Sequence, residues 1–243
     1  MPETLASCER LDWDTEFFGF PVARVAGSIL DEGSARAIDE WCAGRAIRCL
    51  YFLADPGDAE TCRVTRDHGY RQVDVRVGLR HDLHPLPEGT GVRIRDALPD
   101  DVEALAELAR RSFHDSRFYQ DGRFPRERCD ELYATWIANG ADDPNGWVLV
   151  AELDGSPAGY QLMSPPGEDG IASMQMLAVD PTVRRRGVGR GLLAAGLRRA
   201  HDHGAKAVDT ATQERNAVSL RAHDALGFRR MPSAVWFHKW YEL

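Results

Sequence analysis

Arg184-Arg185-Arg186-Gly187-Val188-Gly189-Arg190-Gly191 puts four arginines and three glycines into eight residues of a chain whose formal net charge is −8. Glycine lets a backbone approach an oxyanion closely and reach dihedrals closed to other residues. A helix start adds unpaired N–H groups and the positive end of the helix dipole. A basic, glycine-rich turn that opens a helix is therefore suited to phosphate. The spacing reads R-x-x-G-x-G from Arg184 to Gly189, and neither G-x-G-x-x-G nor G-x-x-x-x-G-K-[ST] occurs, so two common phosphate loops are excluded. A basic turn that merely caps an amphipathic helix is the plainer alternative.

A second concentration of arginine lies in residues 116–128, where Arg117, Arg123, Arg126 and Arg128 are interleaved with Phe118, Tyr119 and Phe124. Planar guanidinium groups suit a diphosphate, and ring faces suit a base or a sugar. Arg117, Tyr119 and Arg123 are thus candidate acceptor-binding residues; a salt-bridged helix entry with its aromatics in the core accounts for them equally well. The earlier aromatic group, Trp13, Phe17, Phe18 and Phe20, reads as core packing.

Other chemistry is thin. Five cysteines are scattered without paired spacing and read as free thiols, and His114, His201 and His203 form no metal-ligand pattern, so no metal is expected. His201 and His203 suit the C-terminal end of a helix. The acidic balance argues against general nucleic-acid binding. No apolar run is long enough to span a membrane, and the first residues lack a signal-peptide pattern, so the expected location is cytoplasmic.

The elements that must position these residues follow from periodicity. "DLHPLPEGTGV" at 82–92 reads as a linker, dividing a domain at 1–85 from one at 91–243. Downstream, the pattern predicts a strand at Val92–Arg95, a helix opened by Pro99-Asp100-Asp101 and a second helix at Pro125–Ala138. A hairpin about Asp154-Gly155 and the strand "IASMQMLAVD" follow. Then come a helix carrying Leu192, Leu193, Leu197 and Ala200, the strand "AKAVDTAT", the helix "NAVSLRAHDAL" and the strand "SAVWFHKWY". The first half echoes this ending, with Gly69-Tyr70 matching Gly227-Phe228, but has no counterpart of the arginine-glycine loop.

Three ordered pieces, L-x-V-x-P at Leu177, Val179 and Pro181, the loop, and "NAVSLRAHDALGF" from Asn216, resemble the GNAT family of acyl-CoA-dependent N-acyltransferases. The resemblance implies an α/β GNAT fold preceded by a smaller, degenerate GNAT-like N-terminal domain. It implies acetyl-CoA as cosubstrate: main-chain groups of Leu177 and Val179 facing pantetheine, Arg184, Arg185, Arg186, Gly187, Val188, Gly189, Arg190 and Gly191 around the pyrophosphate, and Asn216 anchoring the cofactor arm or a water. An N–H near Met176 or Leu177 would polarise the thioester carbonyl. Patches including "LDWDTEFFGF", "SFHDSRFYQDGRF" and "SAVWFHKW" are similar to the TDP-fucosamine acetyltransferase group, which implies a nucleotide-linked 4-amino-deoxysugar as acceptor.

Another amine, whether a protein N-terminus, an aminoglycoside or a small metabolite, stays open as acceptor, as does a non-catalytic acyl-CoA-binding module. A homodimer is also left open. Where the family carries a tyrosine four residues before the glycine of G-F, this chain has His223. It is expected to replace the tyrosine as proton donor to sulfur after taking the amine's proton, or to be a helix residue while water moves the proton. Glu168, Asp169 and Asp121 are weaker candidates for the base.

Overall fold

Strand-like runs and helical stripes appear in the computed structural model, which describes residues 7–242, much where periodicity places them. In chain order the elements are β1 (Cys8–Arg10), α1 (Asp12–Phe18), β2 (Val22–Val25), α2 (Glu32–Ala43), β3 (Cys49–Ala54), α3 (Ala59–Asp67) and β4 (Arg71–His81). They continue with β5 (Arg93–Asp96), α4 (Val102–Arg110), α5 (Arg117–Asp121), α6 (Arg126–Asp142), β6 (Trp147–Leu153), β7 (Ser156–Ser164) and β8 (Ile171–Val179). The last are α7 (Val188–Asp202), β9 (Ala207–Gln213), α8 (Ala217–Asp224) and β10 (Arg229–Trp240). Every element expected after the linker is present, and the short α5 is additional. Among the described residues no helix is long and apolar enough to cross a membrane.

Two compact units are present. The first takes residues up to Arg76, Ser116–Arg128 and Pro232 onward; the second takes Val77–Asp115 and Cys129–Met231. The linker-based division placed residues 116–128 and the last strand with the second domain. Aromatic burial draws them into the first unit instead: ring centroids lie 4.7 Å apart for Phe18 and Phe124, 6.1 Å for Tyr51 and Phe118, and 5.0 Å for Phe124 and Trp240. Phe118 and Phe124 are buried, so these two rings of the arginine-rich segment belong to a core, while Tyr119 is half-buried. Phe18 joins them, whereas Trp13 is exposed and stacks on Phe17.

In the first unit β1 pairs antiparallel with β2, β2 parallel with β3, and β3 antiparallel with β10. Buried on both faces, β3 reads as the near-continuous apolar run "CLYFLA". Leu50, Phe52 and Ala54 pack with Ala35, Ile38 and Cys42 of α2, whose start is capped by Asp31 accepting from the Ser34 N–H at 2.7 Å.

In the second unit β5, β6, β7 and β8 form an antiparallel succession, and β9 runs parallel to β8. The β6–β7 turn places both Asp154 and Gly155 at positive φ, as a two-residue hairpin turn requires. Leu192, Leu193 and Leu197 bury one stripe of α7 against Leu149, Ala151, Met163 and Val208. At roughly 1.5–3 kcal/mol for each such side chain, that stripe fixes where the N-terminus of α7 points.

Candidate functional site

The site starts with a ladder that stops early. β8 pairs with β9 only at Ile171 with Ala207, Ala172 with Val208 and Ser173 with Asp209. The Thr210 hydroxyl then donates to the Met174 carbonyl at 2.9 Å, and the described ladder extends no further. On its other side β8 stays paired to β7 as far as Val179. The edge of β8 from Gln175 to Val179 is therefore left without backbone partners from β9, and its peptide groups need some other acceptor or donor. Leu177 and Val179 lie on this stretch and are half-buried.

A register shift sharpens the opening. Leu162 pairs with Met176 while Met163 pairs with Met174, so Gln175 is the extra residue of a bulge. A bulge re-aims the peptide groups beside it, here those of Met176 and Leu177. The sequence carries no turn residue to announce it.

Beyond β8, Asp180 accepts from the Thr182 N–H at 2.8 Å and starts a short 3-10 turn at Pro181–Val183. The chain reverses through Arg185 at φ 63° and Gly187 at φ 83°, both left-handed, and Gly187 opens α7 with no side-chain cap. The N–H groups of the first turn, on Val188, Gly189 and Arg190, thus have no partner within the helix and lie at its positive end. Arg184, Arg185, Arg186 and Arg190 are exposed around them; Arg186 lies a loose 3.7 Å from Asp154, and the Arg184 charge acts on Asp180. This constellation can bind a polyanion.

Two expectations for the loop need correction, and one contact is new. Gly189 is an ordinary helical residue, so left-handed freedom is needed at Gly187 and is met, unexpectedly, by Arg185. Gly191 is buried with its N–H already on the Gly187 carbonyl at 2.8 Å, and a Cβ there would come within 2.7 Å of the Thr90 hydroxyl oxygen. Gly191 therefore permits close packing and offers no amide to an anion. Thr90, in the linker segment and unnoticed in the sequence, donates to the Gly187 carbonyl at 3.2 Å.

On α8, Asn216 spends its amide oxygen as the N-cap, accepting from the Ser219 N–H at 3.0 Å. Its expected role as a cofactor anchor would fall to the amide NH2 and the oxygen's second lone pair. His223 is buried, with Nδ1 2.8 Å from the Ser219 carbonyl and its ring edge-on to Phe228 at 4.8 Å. A carbonyl can only accept, so Nδ1 carries the proton and Nε2 the lone pair. Burial lowers the imidazole below its ordinary value, only partly offset by the Ser219 bond and the Asp224 charge. The ring is neutral at pH 7, so it cannot donate to sulfur without first accepting a proton.

Arg117, Tyr119 and Arg123 lie in the first unit, and the loop lies in the second. Arg117 donates to His238 Nε2 at 2.9 Å and packs its guanidinium 4.2 Å from each of the Tyr51, Phe118 and Trp236 rings. Half-buried and so engaged, Arg117 matches the second of its two readings, a helix entry packed on core aromatics. Arg123 is exposed, 5.9 Å over Trp240, and Tyr119 lies under Arg126 at 5.6 Å. Asp121 is buried, bonded to His238 Nδ1 and to Trp240 Nε1 at 2.9 Å, and is unsuited to serve as a base. Glu168 and Asp169 are exposed on the β7–β8 loop, Asp169 accepting from the Ile171 N–H. Among the described residues no group of three or more His, Cys, Asp or Glu is arranged to hold a metal.

The sequence pattern of the acetyltransferase (GNAT) family matches residues 102–228, just over half of the chain. A spore coat polysaccharide biosynthesis protein, SpsD of Bacillus subtilis, is 28% identical over 142 residues, covering 58% of this chain and 48% of its own. A mycothiol acetyltransferase of Thermomonospora curvata is 31% identical over 212 residues, covering 84% and 68%. The chain thus spans about half to two thirds of these relatives' lengths. Among solved structures, a GCN5-related N-acetyltransferase from Sphaerobacter thermophilus superposes with a TM-score of 0.66 at 19% identity, over 97% of this chain and 76% of that one. A tandem GNAT protein from the clavulanic acid biosynthesis pathway gives 0.62 at 18%, over 90% and 75%. These likenesses fix the fold as GNAT. Since the matched residues take in every element that builds the opened ladder and the helix start beside it, the chain belongs to the acetyltransferase (GNAT) family.

Proposed function

We propose that this protein transfers an acetyl group from acetyl-CoA to a primary amine by direct attack. The observation that carries the reading is the unpaired edge of β8 running into the uncapped N-terminus of α7. The β8 edge around Leu177 and Val179 offers main-chain groups to a pantetheine amide chain. The Val188, Gly189 and Arg190 amides, with Arg184, Arg185 and Arg186, receive the pyrophosphate. The peptide group re-aimed by the Gln175 bulge polarises the thioester carbonyl. His223 Nε2 accepts the proton the amine must lose and, with a pKa held low by burial, releases it readily to the departing thiolate.

For the acceptor, a nucleotide-linked 4-amino-deoxysugar is the first choice, supported by the relative named for polysaccharide biosynthesis. The relatives named mycothiol acetyltransferases, one of them matching 84% of the chain, support a mycothiol-type acceptor as a second reading. The first unit is a degenerate GNAT-like domain in this account, in keeping with the fold likeness to a tandem GNAT protein.

The test is coenzyme A thiol release from acetyl-CoA with TDP-4-amino-4,6-dideoxy sugars, the amine precursor of mycothiol and simple amines side by side. Release that depends on one acceptor class assigns it. Tight acetyl-CoA binding without release across the panel overturns catalysis in favour of a binding module.

A further inference from the structure

Thr90 and the start of α7 are 97 residues apart in sequence and in direct contact. The Thr90 hydroxyl donates to the Gly187 carbonyl at 3.2 Å, and the same carbonyl accepts from the Gly191 N–H at 2.8 Å. Carbon atoms of Thr90 lie where a side chain on Gly187 would begin, 3.3 Å from its Cβ position, and its hydroxyl lies 2.7 Å from that of Gly191. Two glycines one helical turn apart therefore make room for one threonine.

A peptide group is planar and trans, so its carbonyl and the next N–H point in opposite directions. Holding the Gly187 carbonyl back toward Thr90 aims the Val188 N–H forward, out of the helix end. Gly187 needs such holding because a left-handed glycine cap is loosely restrained by its own sterics, and no side chain caps this helix. The segment carrying Thr90 is itself seated: Val92 and Ile94 pack on the core of the second unit.

We propose that Thr90 is a positioning residue for the anion-binding end of α7, setting the direction of the Val188 amide toward the pyrophosphate of coenzyme A. The inference rests on the coenzyme reading given above. It identifies the linker segment as part of the machinery for binding the cosubstrate, although Thr90 itself touches no substrate.

The experiment titrates full-length wild type, Thr90→Val, Thr90→Ser and Thr90→Ala with coenzyme A, ADP and pantetheine. Coenzyme A and ADP carry a pyrophosphate; pantetheine does not. Thr90→Val keeps the shape and removes the donor, and is expected to weaken coenzyme A and ADP by about fivefold, the scale of one hydrogen bond. Thr90→Ser restores both to within about twofold of wild type, Thr90→Ala loses at least as much as Thr90→Val, and pantetheine binding stays constant. Equal coenzyme A affinity in wild type and Thr90→Val overturns the inference alone, as does a matching loss for pantetheine, which a general loosening of the fold would cause. Failure of the wild type to bind coenzyme A overturns the coenzyme reading with it.

Discussion

At the scale of single residues, His223 shows how a neighbour fixes chemistry. Four residues apart on α8, the Ser219 carbonyl claims the Nδ1 proton and leaves Nε2 as a base. The family tyrosine can donate directly; this imidazole must accept first. His223→Phe keeps a ring in the pocket and removes the nitrogens, so kcat is expected to fall about 10²-fold with the KM for acetyl-CoA unchanged. Since burial holds the folded imidazole below the usual ~6.5, wild-type kcat/KM should hold steady down to that pH and fall on an acidic limb below it. The limb should vanish in the variant. Unaltered turnover in steady-state assays would leave His223 a packing residue.

At the scale of elements, α7 links packing to ligand binding, because the stripe that buries it also aims its N-terminus. Gly196 lies on that stripe, where a Cβ would meet Gln161 Oε1 at 2.5 Å and Met163 Sδ at 2.8 Å. Neither neighbour is an exposed, yielding tip: Gln161 and Met163 are fully buried on β7. Gly196→Ala should therefore cost about 1–3 kcal/mol of stability and raise the KM for acetyl-CoA as α7 is displaced. Denaturant melts and initial rates read both effects. A stable variant with unchanged KM would show that the β7–α7 contact is slack.

For the whole molecule, stability against acid depends on a charged cluster buried in the first unit. Burial pushes His238 down to about 4; the Asp121 bond opposes this and the Arg117 charge adds to it. Burial alone would raise Asp121, but its bonds to His238 and Trp240 outweigh that and hold it below the usual carboxylate range. Tyr51 and Arg71 complete the surroundings. The unfolded chain takes up a proton at His238 as pH falls through ~6.5, while the folded chain does not until about 4. This contribution is fully present above ~6.5 and is lost as pH falls toward 4, by about 2 kcal/mol between pH 7.5 and 5. Asp121 acts with the same sign at lower pH. Urea melts at the two pH values should show the loss in wild type and a smaller one in His238→Gln; identical losses would mean that other groups govern the acid sensitivity.

The elements of the second unit and the anion-binding loop were legible in the sequence, because strand alternation, the α7 stripe and the run from Arg184 to Gly191 are local patterns that neighbouring residues impose on one another. The GNAT resemblance rested on the same local blocks. What only the tertiary structure decided depends on residues far apart in the chain. Arg117 could be a ligand residue or a core residue until His238, 121 positions away, accepted its N–H. Segment 116–128 joined the first unit because its aromatic rings bury there, against a linker signal that pointed elsewhere. The Gln175 bulge, the early end of the β8–β9 ladder and the Thr90 brace on Gly187 likewise leave no sequence signature, because each is a fit between surfaces that meet only after the chain has folded.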